Sequence, residues 1–292
     1  MILETPLQVR RLDILVNPAS GSVSPGAQAR AEKLLCELGV SGRVIGLEGD
    51  IEQALRAAVD AAPDVLAVLA GDGTARACAE LCGPDGPVLA PLPGGTMNML
   101  PRAVYGQLAW PEALSLAIRS GEPRPVGGGE VDGRPFLVAA ILGAPALWAP
   151  AREAVREGRF GLALDRARNA FSRAFTGRLR YSFDRGVRRK AEALAFLCPL
   201  TSRAMESSAQ ALEAAALDPA DALEAFRLGA QALLGDWRDD PSVEVTRCRV
   251  AQAWAAAPIP ALVDGEPVQI DRAAQIVFRP NVVRVLALAE AG

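Results

Sequence analysis

The stretch Val65-Leu66-Ala67-Val68-Leu69-Ala70-Gly71-Asp72-Gly73-Thr74 decides how the rest of the chain reads. Six apolar residues bounded by Asp64 and Gly71 predict a parallel strand buried on both faces. An alanine-rich helical pattern follows, from Ala75 to Leu81. A second buried strand, Val88-Leu89-Ala90, opens into Pro93-Gly94-Gly95-Thr96-Met97-Asn98, where another helix begins. Twice, then, a strand runs into a glycine turn carrying threonine and on into a helix. Glycine lets a ligand approach the main chain closely. Amides at a helix N-terminus favour anions. Two such loops at the same end of adjacent parallel strands form a cleft for a polyphosphate.

Outward from that stretch the alternation continues. Leu12 to Val16 reads as the first strand, ending in the turn residues Asn17-Pro18-Ala19-Ser20-Gly21. Gln28 to Leu38 is helical, with Ala31, Leu34, Leu35 and Leu38 on one face and Gly39 as its stop. Arg43 to Leu47 is a strand, and Ile51 to Ala62 a helix with Asp50 as N-cap. Trp110 to Ser120 adds one more helix. Strand and helix in this order imply a parallel sheet with helices on both faces.

Gly121 to Gly129, with Pro123, Pro125 and three consecutive glycines, reads as a domain boundary. It separates an α/β domain over 1–122 from a β-rich domain over 123–292, whose last segment is expected to return to the first. Asp132-Gly133 signals a hairpin ahead of Phe136 to Leu142. Tyr181 to Phe183 and Leu194 to Leu197 flank Asp184-Arg185-Gly186 in the same way. Val243 to Val250 and Ala274 to Phe278 also read as strands. Ala211 to Ala216 and Ala220 to Leu234 are alanine-rich and read as helices, broken at Asp218-Pro219.

Composition narrows the chemistry. The 292 residues are half hydrophobic, enough for one large or two medium cores. A net charge of -3 gives no global steering toward nucleic acid. No apolar run reaches a membrane span, and Met1 to Arg11 lacks a signal pattern, so a cytoplasmic protein is expected. The five cysteines form no Cys-x-x-Cys, and Cys78 and Cys82 read as small core residues. The chain has no histidine. That removes Ser-His-Asp and Cys-His catalysis and His-ligated zinc. Its lysines, Lys33 and Lys190, lie outside the glycine loops, so there is no Walker-type lysine. Phosphate binding must therefore use amides, hydroxyls, arginines and metal, and any general base must be a carboxylate. Leu262-Val263-Asp264-Gly265-Glu266-Pro267 is an Asp-Gly turn that sets two carboxylates at a strand end. One can take a proton from a hydroxyl while the other orients it or attracts metal.

From Arg152 to Lys190 there are twelve Arg or Lys against Glu153, Glu157, Asp165 and Asp184. Phe160, Leu164, Ala167, Phe171 and Phe175 fall at helical spacing. A basic helix with an aromatic face lies on an anionic membrane surface or packs in a core with its charges in water. Peripheral contact with the inner membrane surface is the expectation drawn from it.

Asn17-Pro18-Ala19-Ser20-Gly21, Gly71-Asp72-Gly73-Thr74, Pro93-Gly94-Gly95-Thr96-Met97-Asn98 and Asp264-Gly265-Glu266 together resemble the diacylglycerol kinase catalytic family. That family includes bacterial lipid kinases and sphingosine kinases. The resemblance implies an α/β domain like that of phosphofructokinase and NAD kinase, a C-terminal β-sandwich, ATP and Mg²⁺. It implies that Asn17, Ser20 and Gly21 line the nucleotide, that Gly71, Gly73 and Thr74 wrap its phosphates, and that Gly95, Thr96 and Asn98 complete the site. Asp72 would hold Mg²⁺ or orient the γ-phosphate, and Asp264 and Glu266 would be the base and its helper. The implied activity is transfer of the γ-phosphoryl group to a lipid hydroxyl, diacylglycerol or a similar amphiphile, in phospholipid metabolism. A soluble hydroxyl acceptor and a non-catalytic nucleotide-binding role are the alternatives. The family usually has Gly-Gly-Asp-Gly where this chain has Ala70-Gly71-Asp72-Gly73. The family's structural metal motif finds its nearest match at Asp218-Pro219-Ala220-Asp221 and is not carried over.

Overall fold

In the computed structural model, which describes residues 8–143, 178–219 and 237–288, the alternation of the first part is present. β1 (Leu12–Val16), α1 (Ala27–Leu38), β2 (Val44–Gly46), α2 (Ile51–Asp60) and β3 (Val65–Ala70) come first. α3 (Asp72–Cys82), β4 (Val88–Pro93), α4 (Met99–Tyr105) and α5 (Trp110–Ser120) follow. β1 pairs in parallel with β2 and β3, and β3 with β4. Every residue of β1 and β3 is buried, as runs without alternation require when both sheet faces are covered. Leu12, Ile14, Val65, Ala67, Val88 and Ala90 pack with Ala31 of α1 and Leu114 and Ala117 of α5. α3 packs on β3 and β4. Asp50 caps α2 by accepting from the Gln53 amide at 3.0 Å, and Gly39 ends α1 with φ at 66°. A cap of this kind contributes about 1 kcal/mol.

The rest of the chain is strand-built: β5 (Gly121–Val131), β6 (Arg134–Phe136), β7 (Ala139–Gly143), β8 (Leu179–Phe183), β9 (Arg189–Ala191) and β10 (Ala193–Leu197). Then come β11 (Leu212–Leu217), β12 (Val243–Cys248), β13 (Val250–Trp254), β14 (Ile259–Val263), β15 (Glu266–Ile270) and β16 (Ala273–Leu288). The described residues divide into two compact units. One runs to Gly127 and resumes at Asn281; the other runs from Gly128 to Pro280. In the first unit Val285 of β16 lies parallel beside Leu89, and the Tyr105 hydroxyl donates to the Leu286 carbonyl at 2.7 Å. In the second unit one antiparallel sheet has the order β12-β11-β10-β7-β14-β15. Another joins β8 to β9 and β13, and β13 to β16. Leu142, Leu194 and Phe196 of the one share a core with Tyr181, Ala251 and Ile276 of the other.

Three expectations change. Ala211 to Ala216, read as helix, lies in strand β11, because Ala214 and Ala215 are wholly buried between β10 and β12. Burial between paired strands overrides alanine's helix propensity. Gly121 to Gly129, within which the two units divide, is built as strand β5. Gly129 faces Phe136 across the β5–β6 pair, and a Cβ there would stand 2.1 Å from the ring. The turn at Asp184 joins β8 to β9, not to Leu194–Leu197, which pairs with β7 and β11. Val243 to Val250 is two strands, because the chain passes from one sheet to the other at Arg249. Most of the basic segment, residues 152–177, and the expected helix over 220–234 lie outside the described residues. Among the described residues no helix is long and apolar enough to cross a membrane.

Candidate active site

Three loops of the first unit interlock at the ends of β1, β3 and β4. Asn17 ends β1; its amide donates to the Leu69 carbonyl, and its side-chain oxygen accepts from the Ala19 amide at 3.0 Å. That bond folds the chain back so that Ser20 reaches the next loop, where its hydroxyl accepts from the Gly71 amide at 3.1 Å. Ser22 grips the third loop, donating its hydroxyl to the Gly95 carbonyl and its amide to the Gly94 carbonyl. Ser22 was not singled out from sequence; its place two residues past Ser20 was the available signal.

Glycine is required where the second and third loops cross. A Cβ on Gly95 would stand 2.6 Å from the Gly71 Cα, and one on Gly94 would stand 2.7 Å from the Ala70 nitrogen. A Cβ on Gly21 would reach the Thr96 hydroxyl at 3.0 Å. Asn98 closes the third loop on itself. Its backbone is left-handed, φ 50°, and its side chain both accepts from the Gly95 amide at 2.8 Å and donates to the Gly95 carbonyl at 2.9 Å. The backbone of Gly71, Gly95 and Asn98 is thus fixed before any ligand arrives.

Asp72 is the first residue of α3, yet its carboxylate serves α4. Its Oδ1 accepts from the Leu100 amide at 3.1 Å. Burial raises its pKa, opposed by the amides of Leu100, Met99 and Asn98 and by the Arg102 charge. α4 therefore has a carboxylate at its N-terminus. α3 has no side-chain cap: its N-cap is Gly71, and the acid of its first turn, Asp72, gives its Oδ1 to the Leu100 amide of α4. Gly73 and Thr74 lie in this first turn, where backbone N–H groups have no helical acceptor. An anion seated there would meet the positive end of an eleven-residue helix. Among the described residues no group of three carboxylate, thiol or imidazole side chains gathers as a metal site. Asp72 alone fits Mg²⁺ at these loops, as one carboxylate beside phosphate oxygens and water.

In the second unit Asp264 is buried at the β14–β15 turn, with φ at 48°. Its carboxylate accepts from the amides of Leu137, Val138 and Ala139 at 2.8, 2.9 and 3.0 Å. Both oxygens are thus engaged by the β6–β7 connection. Glu266, two residues on, is exposed at the start of β15. Asp132 and Asp184 use the same device. Each sits at a turn with positive φ, and each accepts from a neighbouring strand's amides, Gln275 for one and Arg249 and Val250 for the other.

Residues 11–131 match the model of the diacylglycerol kinase catalytic domain. A search of curated proteins found no match. Among solved structures, a diacylglycerol kinase from Bacillus anthracis strain Sterne is similar at a TM-score of 0.71 and 16% identity, covering 96% of this chain and 98% of its own. A yeast NADH kinase solved with NADH is similar at a TM-score of 0.53 and 12% identity, covering 97% and 85%. These likenesses are to the fold.

Proposed function

We propose that this chain, which belongs over residues 11–131 to the diacylglycerol kinase catalytic-domain family, is an ATP-dependent kinase for a lipid hydroxyl. One observation carries the reading: α3 presents an uncapped N-terminus where three loops cross, while the acid of its first turn, Asp72, faces the amides of α4. Phosphoryl transfer asks for positioning and charge neutralisation more than covalent chemistry, so a chain without histidine can perform it.

In this reading Asn17, Ser20 and Gly21 border the nucleotide. The amides of Gly71, Gly73 and Thr74 hold its phosphates, and Gly95, Thr96 and Asn98 complete the cradle. Mg²⁺, held by Asp72 and phosphate oxygens, supplies charge neutralisation when bound. Glu266 takes the proton of the acceptor hydroxyl. Asp264, whose oxygens are committed to three backbone amides, sets the turn that presents Glu266. The likeness to a yeast NADH kinase favours a soluble acceptor as the second reading.

The test is transfer of labelled phosphate from ATP, with Mg²⁺, to total extracted lipid in mixed micelles, run beside NAD(H) in solution. The expected product is a labelled lipid that Asp72→Asn abolishes. Label on the dinucleotide alone would select the second reading. Label on neither, from folded protein that binds ATP, would overturn catalysis.

A further inference from the structure

The outer face of β8, β9 and β13 carries charge that no ion pair answers among the described residues. The inner face of these strands, with Leu179, Tyr181, Ala251 and Ala253, is core. On the outer face Lys190 lies directly opposite Arg180, which lies opposite Trp254. Arg188 stacks over the Trp254 ring at 4.9 Å. Neighbouring cations are answered: Arg178 pairs with Asp218 and Glu192, and Arg189 with Glu244. Among the described residues no ion pair takes up Arg180, Lys190 or Arg188. Like charges directly opposite on adjacent strands cost stability. Among the described residues nothing offsets the cost of holding Arg180 against Lys190.

The turn that joins β8 to β9 adds an apolar tip. Val187 is 83% exposed, the most exposed large apolar side chain among the described residues, and it stands between Gly186 and Arg188. Two shallow depressions of about 400 and 760 Å³ meet at Trp254. They are open, with none of the enclosed apolar walls that hold a small molecule.

We propose that this face, with Val187 at its tip and the row Lys190–Arg180–Trp254 behind it, is a docking surface for an anionic lipid bilayer. The cationic row matches a plane of mobile negative headgroups, which adjust to any spacing of charges. Long basic side chains keep their heads at that plane while their stems lie on apolar surface. Tryptophan favours the same interfacial depth, apolar body inward and N–H in the wet layer. An exposed valine ahead of the cations has water as its neighbour in solution and acyl chain at a membrane. A free phosphate or a nucleic acid would use the cations and leave Val187 without purpose.

The experiment is sedimentation of the full chain with vesicles of phosphatidylcholine alone and of phosphatidylcholine with phosphatidylglycerol, in about 0.1 M salt, where charge screening is moderate. Neither ATP nor an acceptor is needed, so the result stands apart from the kinase reading. Binding is expected only to the anionic vesicles and should fall as salt rises. Each cation near such a surface contributes about fivefold in partitioning. Lys190→Glu, a change of two charges, should therefore weaken binding about twenty-five-fold. The same variant puts opposite charges face to face across β8 and β9, so its thermal midpoint should hold or rise. Val187→Asp should also weaken binding with the fold intact. Equal binding to both vesicles, or unchanged binding by folded Lys190→Glu and Val187→Asp, would overturn the proposal. So would retention on an oligonucleotide with none on vesicles.

Discussion

The Gly71–Thr74 loop and the Gly94–Asn98 loop look alike in sequence and do different things. Each follows a buried strand and precedes a helix. The second loop is closed by its own Asn98, and its helix is capped from outside by Asp72. The first is propped by Ser20, and its helix begins without a side-chain cap. One loop is finished by protein atoms; the other, in the proposed reading, takes the phosphates. A repeated motif need not mean two equivalent sites. Here the second loop is the mould against which the first is held open.

The largest effect expected follows from removing the charge that crosses between them. Asp72→Asn should lower transfer about 10²–10³-fold, as loss of a transition-state electrostatic contact does. Asparagine still offers an oxygen to the Leu100 amide, so the fold should survive. The pH dependence has a defined sign. Burial raises the folded-state pKa of Asp72 above 3.8, so its ionised form costs stability at higher pH. Thermal midpoints of wild type and variant should converge at low pH. They should separate, variant above, as pH rises past 3.8. A variant less stable at neutral pH would assign Asp72 to structure instead.

Gly95→Ala tests the crossing itself. Its Cβ would need the space of the Gly71 Cα, and overpacking of this kind costs about 1–3 kcal/mol. Chemical denaturation should show that loss, and ATP affinity should fall with it. Undiminished ATP binding would mean that the two loops move independently. Asn98→Ala removes both bonds to Gly95 and leaves a left-handed alanine, for about 2 kcal/mol by analogy with buried hydrogen-bonded groups. The smallest effect belongs to Ser20→Ala, which loses one neutral hydrogen bond to Gly71 worth about 0.5–1.5 kcal/mol. If Ser20→Ala weakens ATP binding more than Asn98→Ala does, the propped loop is the binding loop, as the comparison holds.

Much of this was legible before any coordinates. The buried runs of β1 and β3 name a parallel sheet because only strands covered on both faces dispense with alternation. Sequence reads the glycines of both loops as room for a ligand; the structure shows them needed where the two loops cross, a Cβ on Gly95 standing 2.6 Å from the Gly71 Cα. What sequence could not convey is direction. Asp72 heads α3, and nothing local says that its carboxylate turns to a helix twenty-eight residues on. β11 was misread because its alanines are chosen by the tightness between two strands, an environment assembled from elsewhere in the chain. Glu213 in that strand is 1% exposed yet charged, answered by Arg238 at 2.5 Å. A buried glutamate announces itself only once its distant partner is in place.

The three aspartate turns of the second unit bear on how it folds. Hairpins are ordinarily local structures, able to form on their own. These turns are fastened to strands far away in sequence: Asp132 to Gln275, 143 residues on, Asp264 to Leu137, 127 residues back, and Asp184 to Val250, 66 residues on. None of the three turns can be completed until the strand that holds it has arrived. Loop-closure entropy is spent before the fastening bonds form, which slows folding and ties its parts together. These three turns are thereby completed only as the second unit assembles around them.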